Sequence, residues 1–190
     1  MGIRSFVAVN IDEGMKKDLY TTTQRLREIR CDVKWVSPEN MHITIKFLGD
    51  TPEGLLPEIS GRLSGIASSH LPFTIRLRSA GVFPDRRRPR VVWIDMSGTE
   101  EIIKLQKEVE ESLATLGYKK ENRAFSPHLT IGRVRAPQES DLLVKGVETL
   151  KEKDFGIIQV EKISLMRSDL SPAGTRYMSV GEFFLGKEKE

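Results

Sequence analysis

The sequence predicts an α+β fold of two pseudo-symmetric lobes, each an antiparallel sheet with helices on its outer face, and an active cleft between the lobes. Three observations predict it: strand-like and helix-like segments alternate, the order of elements repeats from Val91, and a four-residue pattern recurs 86 residues after its first appearance. With 190 residues and 38% hydrophobic content the chain can fill one core, so a single domain is expected, built from repeats of about 1–85 and 90–190.

The first strand-like run is Ile3 to Asn10. Met15, Leu19, Thr22, Leu26 and Ile29 then recur at steps of four and three, on one face of a helix from about Glu13 to Arg30. A strand from His42 to Leu48 precedes a shorter helix, about Pro52 to Ala67, opened by Thr51-Pro52 as a cap residue followed by proline. Phe73 to Val82 closes the first half, and Pro84-Asp85-Arg86-Arg87-Arg88-Pro89 is a basic turn between halves rather than a tether. Val91 to Met96 opens the second half. Ile102, Leu105, Val109, Leu113 and Leu116 form the next helical stripe, with Ser97 and Glu100 spaced as a capping box at its start. His128 to Val134, a helix from about Gln138 to Lys151, and strands Ile157 to Leu165 and Tyr177 to Phe184 complete the chain. Val7 and Trp93 open the halves at the same offset that separates His42 from His128, and a repeat of this kind leaves a cleft at its seam.

Composition narrows the function. Lys+Arg 30 against Asp+Glu 27 leaves a net charge of +3, which excludes a polyanion-coating tail, so an anionic partner would be met locally. The lone Cys31 supplies neither an internal disulfide nor a thiolate zinc site, which fits a reducing cytoplasm. No apolar stretch is long enough for export or spanning, so no membrane association is expected.

The chemistry concentrates in His42-Ile43-Thr44-Ile45 and its echo His128-Leu129-Thr130-Ile131. Strand alternation puts each His and Thr on one face and the aliphatic residues on the other. Two imidazoles can serve as general base and general acid, and threonine hydroxyls can donate to an oxyanion. In-line displacement at the phosphorus of a phosphodiester needs a proton taken from water on one side and given to a leaving oxygen on the other, which suits a pseudo-twofold pair. A lone His-x-Thr on a strand is usually a structural pairing. Here two copies stand at the repeat offset and use two of the three histidines. A metal site would need further ligands; there is no His-Glu-x-x-His helix, and Asp50 belongs to the following loop. No metal or other cofactor is therefore expected, and His70 reads as a surface loop residue.

These motifs resemble the two-histidine phosphoesterase superfamily, specifically the LigT-like RNA 2′,3′-cyclic phosphodiesterases, also called 2′-5′ RNA ligases. The resemblance runs through Arg4-Ser5-Phe6-Val7-Ala8-Val9, Trp35 to Gly49, Gly81-Val82-Phe83-Pro84, Val92-Trp93-Ile94, Phe125 to Arg133 and Leu165-Met166-Arg167-Ser168. The chain departs from the family's late Gly-Pro-x-Tyr with Gly174-Thr175-Arg176-Tyr177. The resemblance implies metal-independent hydrolysis of an RNA or nucleoside 2′,3′-cyclic phosphate to a 2′-phosphate. It implies His42 as the acid that protonates the leaving 3′ oxygen, His128 as the base that activates water, and Thr44 and Thr130 on the phosphate oxygens. The same residues run in reverse would join RNA ends without ATP. Partners would be RNA with cyclic ends, such as tRNA fragments, or small cyclic nucleotides, met by a monomer. The rival reading is a non-catalytic module that holds a nucleotide or RNA end in the same cleft.

The resemblance also makes Arg133 a phosphate-contact candidate, although strict alternation from His128 turns it away from the cleft unless the strand ends or bulges at Gly132. Arginines at 76, 78, 86, 87, 88 and 90, and at 123, 133 and 135, either guide an RNA backbone or are solvated turns and strand edges. Phe83 is the expected stacking residue for a terminal base; Phe47, in phase with Ile43 and Ile45, is expected in the core.

Overall fold

Alternate side chains of a strand face opposite sides, and this chain uses that pattern to cover one face of a continuous sheet with helices. The computed structural model describes residues 2–136, 140–171 and 174–186. Among them the strands are β1 (Gly2–Asn10), β2 (Val33–Trp35), β3 (His42–Pro52), β4 (Phe73–Phe83), β5 (Val91–Ser97), β6 (Leu129–Val134), β7 (Asp154–Val160), β8 (Lys162–Ser171) and β9 (Gly174–Phe184). The helices are α1 (Glu13–Thr22), α2 (Gln24–Arg27), α3 (Leu56–Ser69), α4 (Glu100–Ala114) and α5 (Asp141–Glu148), none long and apolar enough to cross a membrane.

All strand pairings are antiparallel, in the order β7-β4-β5-β6-β3-β1-β8-β9, with β2 beside the far end of β6. Two matched wings, β6-β5-β4-β7 and β3-β1-β8-β9, meet at the registered pair Ile43 and Leu129. The α+β class and the paired lobes are as expected. The lobes, however, interleave the two halves of the chain. β4 lies in the wing of β5 because the short 84–90 connection folds the two strands as a hairpin, while β8 and β9 return to pair beside β1. Val7, Ile43 and Ile45 of one wing and Ile94, Leu129 and Ile131 of the other pack under Leu19, Leu63, Leu105 and Leu143 of the helices. Burial of each such side chain contributes about 1.5–3 kcal/mol to holding the two wings together at the seam.

Several boundaries differ from expectation. The helix expected from Glu13 to Arg30 breaks at Thr23, whose buried β-branched side chain donates its hydroxyl to Leu19 O at 2.7 Å. Thr51 does not cap a helix: it is buried in β3, its hydroxyl 2.7 Å from Ser5 Oγ, and α3 starts later with Pro57 in its first turn. The Ser97 capping box is absent, since Ser97 is held in the β4–β5 ladder opposite Arg76 and the N-cap is Thr99. The expected strand Ile157–Leu165 is two strands that part at Glu161 and run to opposite wings. Gln138, where the last helix was expected to start, lies outside the described residues. His70 is 8% exposed, its Nε2 3.2 Å from Glu108 Oε2, because the turn after α3 folds back against α4.

Candidate active site

Both histidine strands carry the same irregularity. In β3, Val7 pairs with Lys46 and Ala8 with Thr44, so Ile45 is an extra residue; in β6, Val92 pairs with Gly132 and Trp93 with Thr130, so Ile131 is extra. A bulge of one residue reverses which face later side chains take. Lys46 and Gly132 therefore turn to the helix side, and Phe47 and Arg133 come round to the face that holds the histidines. This corrects Phe47, expected in the core: it is 62% exposed, with its ring 6.1 Å from Phe6. It also supplies the bulge on which Arg133 depended.

The two wings stabilise that phase by different means. Lys46 is 3% exposed and donates to Glu110 Oε1 at 2.6 Å and to Lys119 O at 2.8 Å. At the matching position Gly132 leaves room for Trp35 and Val33, whose side chains would lie 2.9 Å from an added Cβ.

The register at the seam sets the four motif side chains. One step either way from Ile43–Leu129 puts His42 against Thr130 and Thr44 against His128, all on the face opposite the helices. Each imidazole is oriented alike. His42 Nδ1 lies 2.7 Å from Asn40 O and His128 Nδ1 lies 2.8 Å from Ser126 O. A carbonyl can only accept, so each Nδ1 carries the proton and the neutral imidazole keeps its lone pair on Nε2. Asn40 is itself held, donating to Ser37 Oγ at 3.1 Å and to Thr175 O at 2.9 Å.

The surroundings of the two rings differ. His42 packs against Phe6, at 4.8 Å between centroids, and Tyr177, at 5.0 Å, and those two rings touch each other at 5.0 Å. Among the described residues the aromatic ring against His128 is Phe83, perpendicular to it at 5.4 Å, and Phe83 in turn stacks on Trp93 at 4.7 Å. Phe83 thus forms the wall of the His128 side. Phe6, Tyr177 and Phe47 escaped sequence reasoning; the one signal was a lysine inside an apolar strand, which marks a change of phase only once its buried partner is known.

Burial lowers the His42 pKa to about 4; the Asn40 carbonyl opposes the shift, and the charges of Arg133 and Lys16 add to it. The protein alone therefore keeps this imidazole neutral at pH 7. Because the folded pKa lies below that of the unfolded chain, the associated stability is present above pH 6.5 and is lost as pH falls toward 4. From pH 7 to pH 4 the wild type should lose about 3 kcal/mol more than a His42→Gln variant. Urea titrations at the two pH values measure this, and parallel losses in both proteins would refute it.

As chemistry, the cleft offers two lone pairs on opposed strands, two hydroxyls between them and one guanidinium. Among the described residues no group of three or more His, Cys, Asp and Glu side chains is placed to hold a metal ion.

Comparisons with known proteins give the chain a family and a fold. The profile of the 2′-5′ RNA ligase superfamily matches residues 16–172. The RNA 2′,3′-cyclic phosphodiesterase of Methanothermobacter thermautotrophicus is 37% identical over 185 residues, 97% of this chain and 100% of the relative. The protein of the same name from Methanocaldococcus jannaschii is 35% identical over 181 residues, 95% of this chain and 100% of the relative. Among solved structures, a Thermus thermophilus protein superposes with a TM-score of 0.83 at 29% identity, covering 98% of this chain and 100% of its own. Escherichia coli LigT complexed with 3′-AMP shares the fold, with a TM-score of 0.82 at 22% identity, covering 98% of this chain and 100% of its own.

Proposed function

Since the chain belongs to the 2′-5′ RNA ligase superfamily, we propose that it hydrolyses RNA or nucleoside 2′,3′-cyclic phosphates to 2′-phosphates without a metal. The observation that carries this reading is the pair of His and Thr side chains about the Ile43–Leu129 seam, with both Nδ1 protons committed to backbone carbonyls. His128 Nε2 takes a proton from a water that attacks phosphorus. The bond to the ribose 3′ oxygen breaks on the opposite side, and His42 Nε2 gives that oxygen its proton. Thr44, Thr130 and Arg133 donate to the non-bridging oxygens, in line with electrostatic stabilisation of developing charge. Phe83 walls the His128 side, and Phe47 offers an exposed ring for the terminal base. A 5′-hydroxyl in place of water would give a 2′-5′ phosphodiester by the same proton transfers, with no ATP consumed.

The neutral His42 of the protein alone must gain its proton with the substrate. An anionic phosphodiester beside Nε2 offsets Arg133 and favours the imidazolium. Binding of a 2′-nucleotide should therefore take up protons at pH 7. Calorimetry in buffers of different ionisation enthalpy measures this, and a buffer-independent enthalpy would contradict the acid role of His42.

The direct test is incubation of adenosine 2′,3′-cyclic phosphate with the protein and excess chelator. The expected product is the 2′-phosphate alone. Tight binding without turnover would establish the binding-module reading instead, and loss of turnover on chelation would overturn metal independence.

A further inference from the structure

Resting on the cyclic phosphodiesterase reading, we propose that the cleft takes a single-stranded oligoribonucleotide whose chain runs from the cyclic end along the rim of the second wing, with backbone phosphates on Arg87, Arg88 and Lys34. In a 2′,3′-cyclic end both secondary ribose oxygens are bound to the reacting phosphorus, so the strand can continue only from the 5′ oxygen. One rim of the cleft must receive it.

The rim is defined by pairing. Lys34 and Val91 both stand opposite Arg133, Arg90 N donates to Phe83 O at 2.6 Å, and Arg135 N donates to Asp32 O at 2.8 Å. Residues 32–35, 83–90 and 132–135 thus converge beside Phe83, whose ring touches His128. These segments hold seven cationic residues and two acidic ones, a larger excess than the +3 of the whole chain.

The structure separates structural arginines from available ones. Arg76 pairs with Asp154, Arg86 with Glu148 and Arg135 with Asp32. Asp85 Oδ1 accepts from the backbone amides of Arg87 and Arg88 at 2.7 and 3.0 Å, which shapes the turn but leaves both guanidinium groups aside. Among the described residues no carboxylate pairs with Lys34, Arg87, Arg88 or Arg133. The matching end of the first wing is different in kind: Phe47 stands where the second wing has Arg133, and Arg4 faces Asp50. One rim suits a base, the other a polyanionic backbone.

The test compares Arg87→Ser/Arg88→Ser with wild type on adenosine 2′,3′-cyclic phosphate and on a short unstructured oligoribonucleotide with a 2′,3′-cyclic end. The loop is exposed and Asp85 is kept, so the fold is retained. At low salt the KM for the oligonucleotide should rise roughly tenfold or more with kcat preserved, and the mononucleotide parameters should stay within about twofold. The slope of log KM against log salt for the oligonucleotide should fall by about 1.4, or about 0.7 for each lost phosphate contact. Equal changes on both substrates, or none on the oligonucleotide, would overturn the proposal. Failure of the wild type to hydrolyse either substrate would instead overturn the phosphodiesterase reading on which it rests.

Discussion

Replacing His42 or His128 by alanine should lower kcat on a nucleoside 2′,3′-cyclic phosphate by about 10² to 10⁴ in each case, with KM changed far less. The basis is positional. The two histidines flank the Ile43–Leu129 pair on the same face of the sheet, and in the proposed mechanism each is spent on one proton transfer of the same displacement. Groups that act as a unit do not add, so the double variant should be little slower than the worse single one. His42 packs against both Phe6 and Tyr177, so His42→Gln belongs beside His42→Ala to separate lost chemistry from lost packing. Thermal unfolding shows whether each variant is folded. A folded variant of either histidine with wild-type kcat would move the reaction elsewhere in the molecule.

The second large effect is expected at Lys46. Its side chain is 1% exposed and its ammonium is bonded to Glu110, whose Oε1 also accepts from Glu121 N at 2.8 Å and whose Oε2 accepts from Gln106 Nε2 at 3.1 Å. Lys46→Met leaves that carboxylate buried without its counter-charge, which should cost about 3–5 kcal/mol. Removing both charges in Lys46→Met/Glu110→Leu should restore most of the loss, because the penalty lies in the unpaired ion rather than in the missing pair. The recovery is incomplete, since Glu121 N and Lys119 O lose partners. Urea unfolding of the single and double variants measures the difference; a single variant within about 1 kcal/mol of wild type, the usual size of an exposed pair, would refute the account. The same pair keeps β3 in the phase that turns Phe47 into the cleft, so its loss should also weaken nucleotide binding.

The repeated His-x-Thr pattern was legible because strand periodicity is local. Ile43, Ile45, Leu129 and Ile131 had to be buried for either strand to join a core, and their alternate neighbours then had to share a face. The asymmetry of the two sites was not legible. Nothing in the composition says that Phe6 and Tyr177 pack against one imidazole and Phe83 against the other, for Tyr177 is brought from β9 by the return of β8 and β9 to the first wing.

The amino-acid sequence by itself determined which residues alternate and that each His shares a face with its Thr, because these depend on spacing along a strand. The tertiary structure alone decided the exchange of strands between the wings, the two bulges, and with them the side of the sheet on which Phe47 and Arg133 stand. Those outcomes depend on partners remote in the chain: Glu110 for Lys46, Trp35 for Gly132, and β5 for β4. A one-residue change of phase costs the isolated strand almost nothing, and its direction is set only when a buried ammonium must find its carboxylate or a ring must find space.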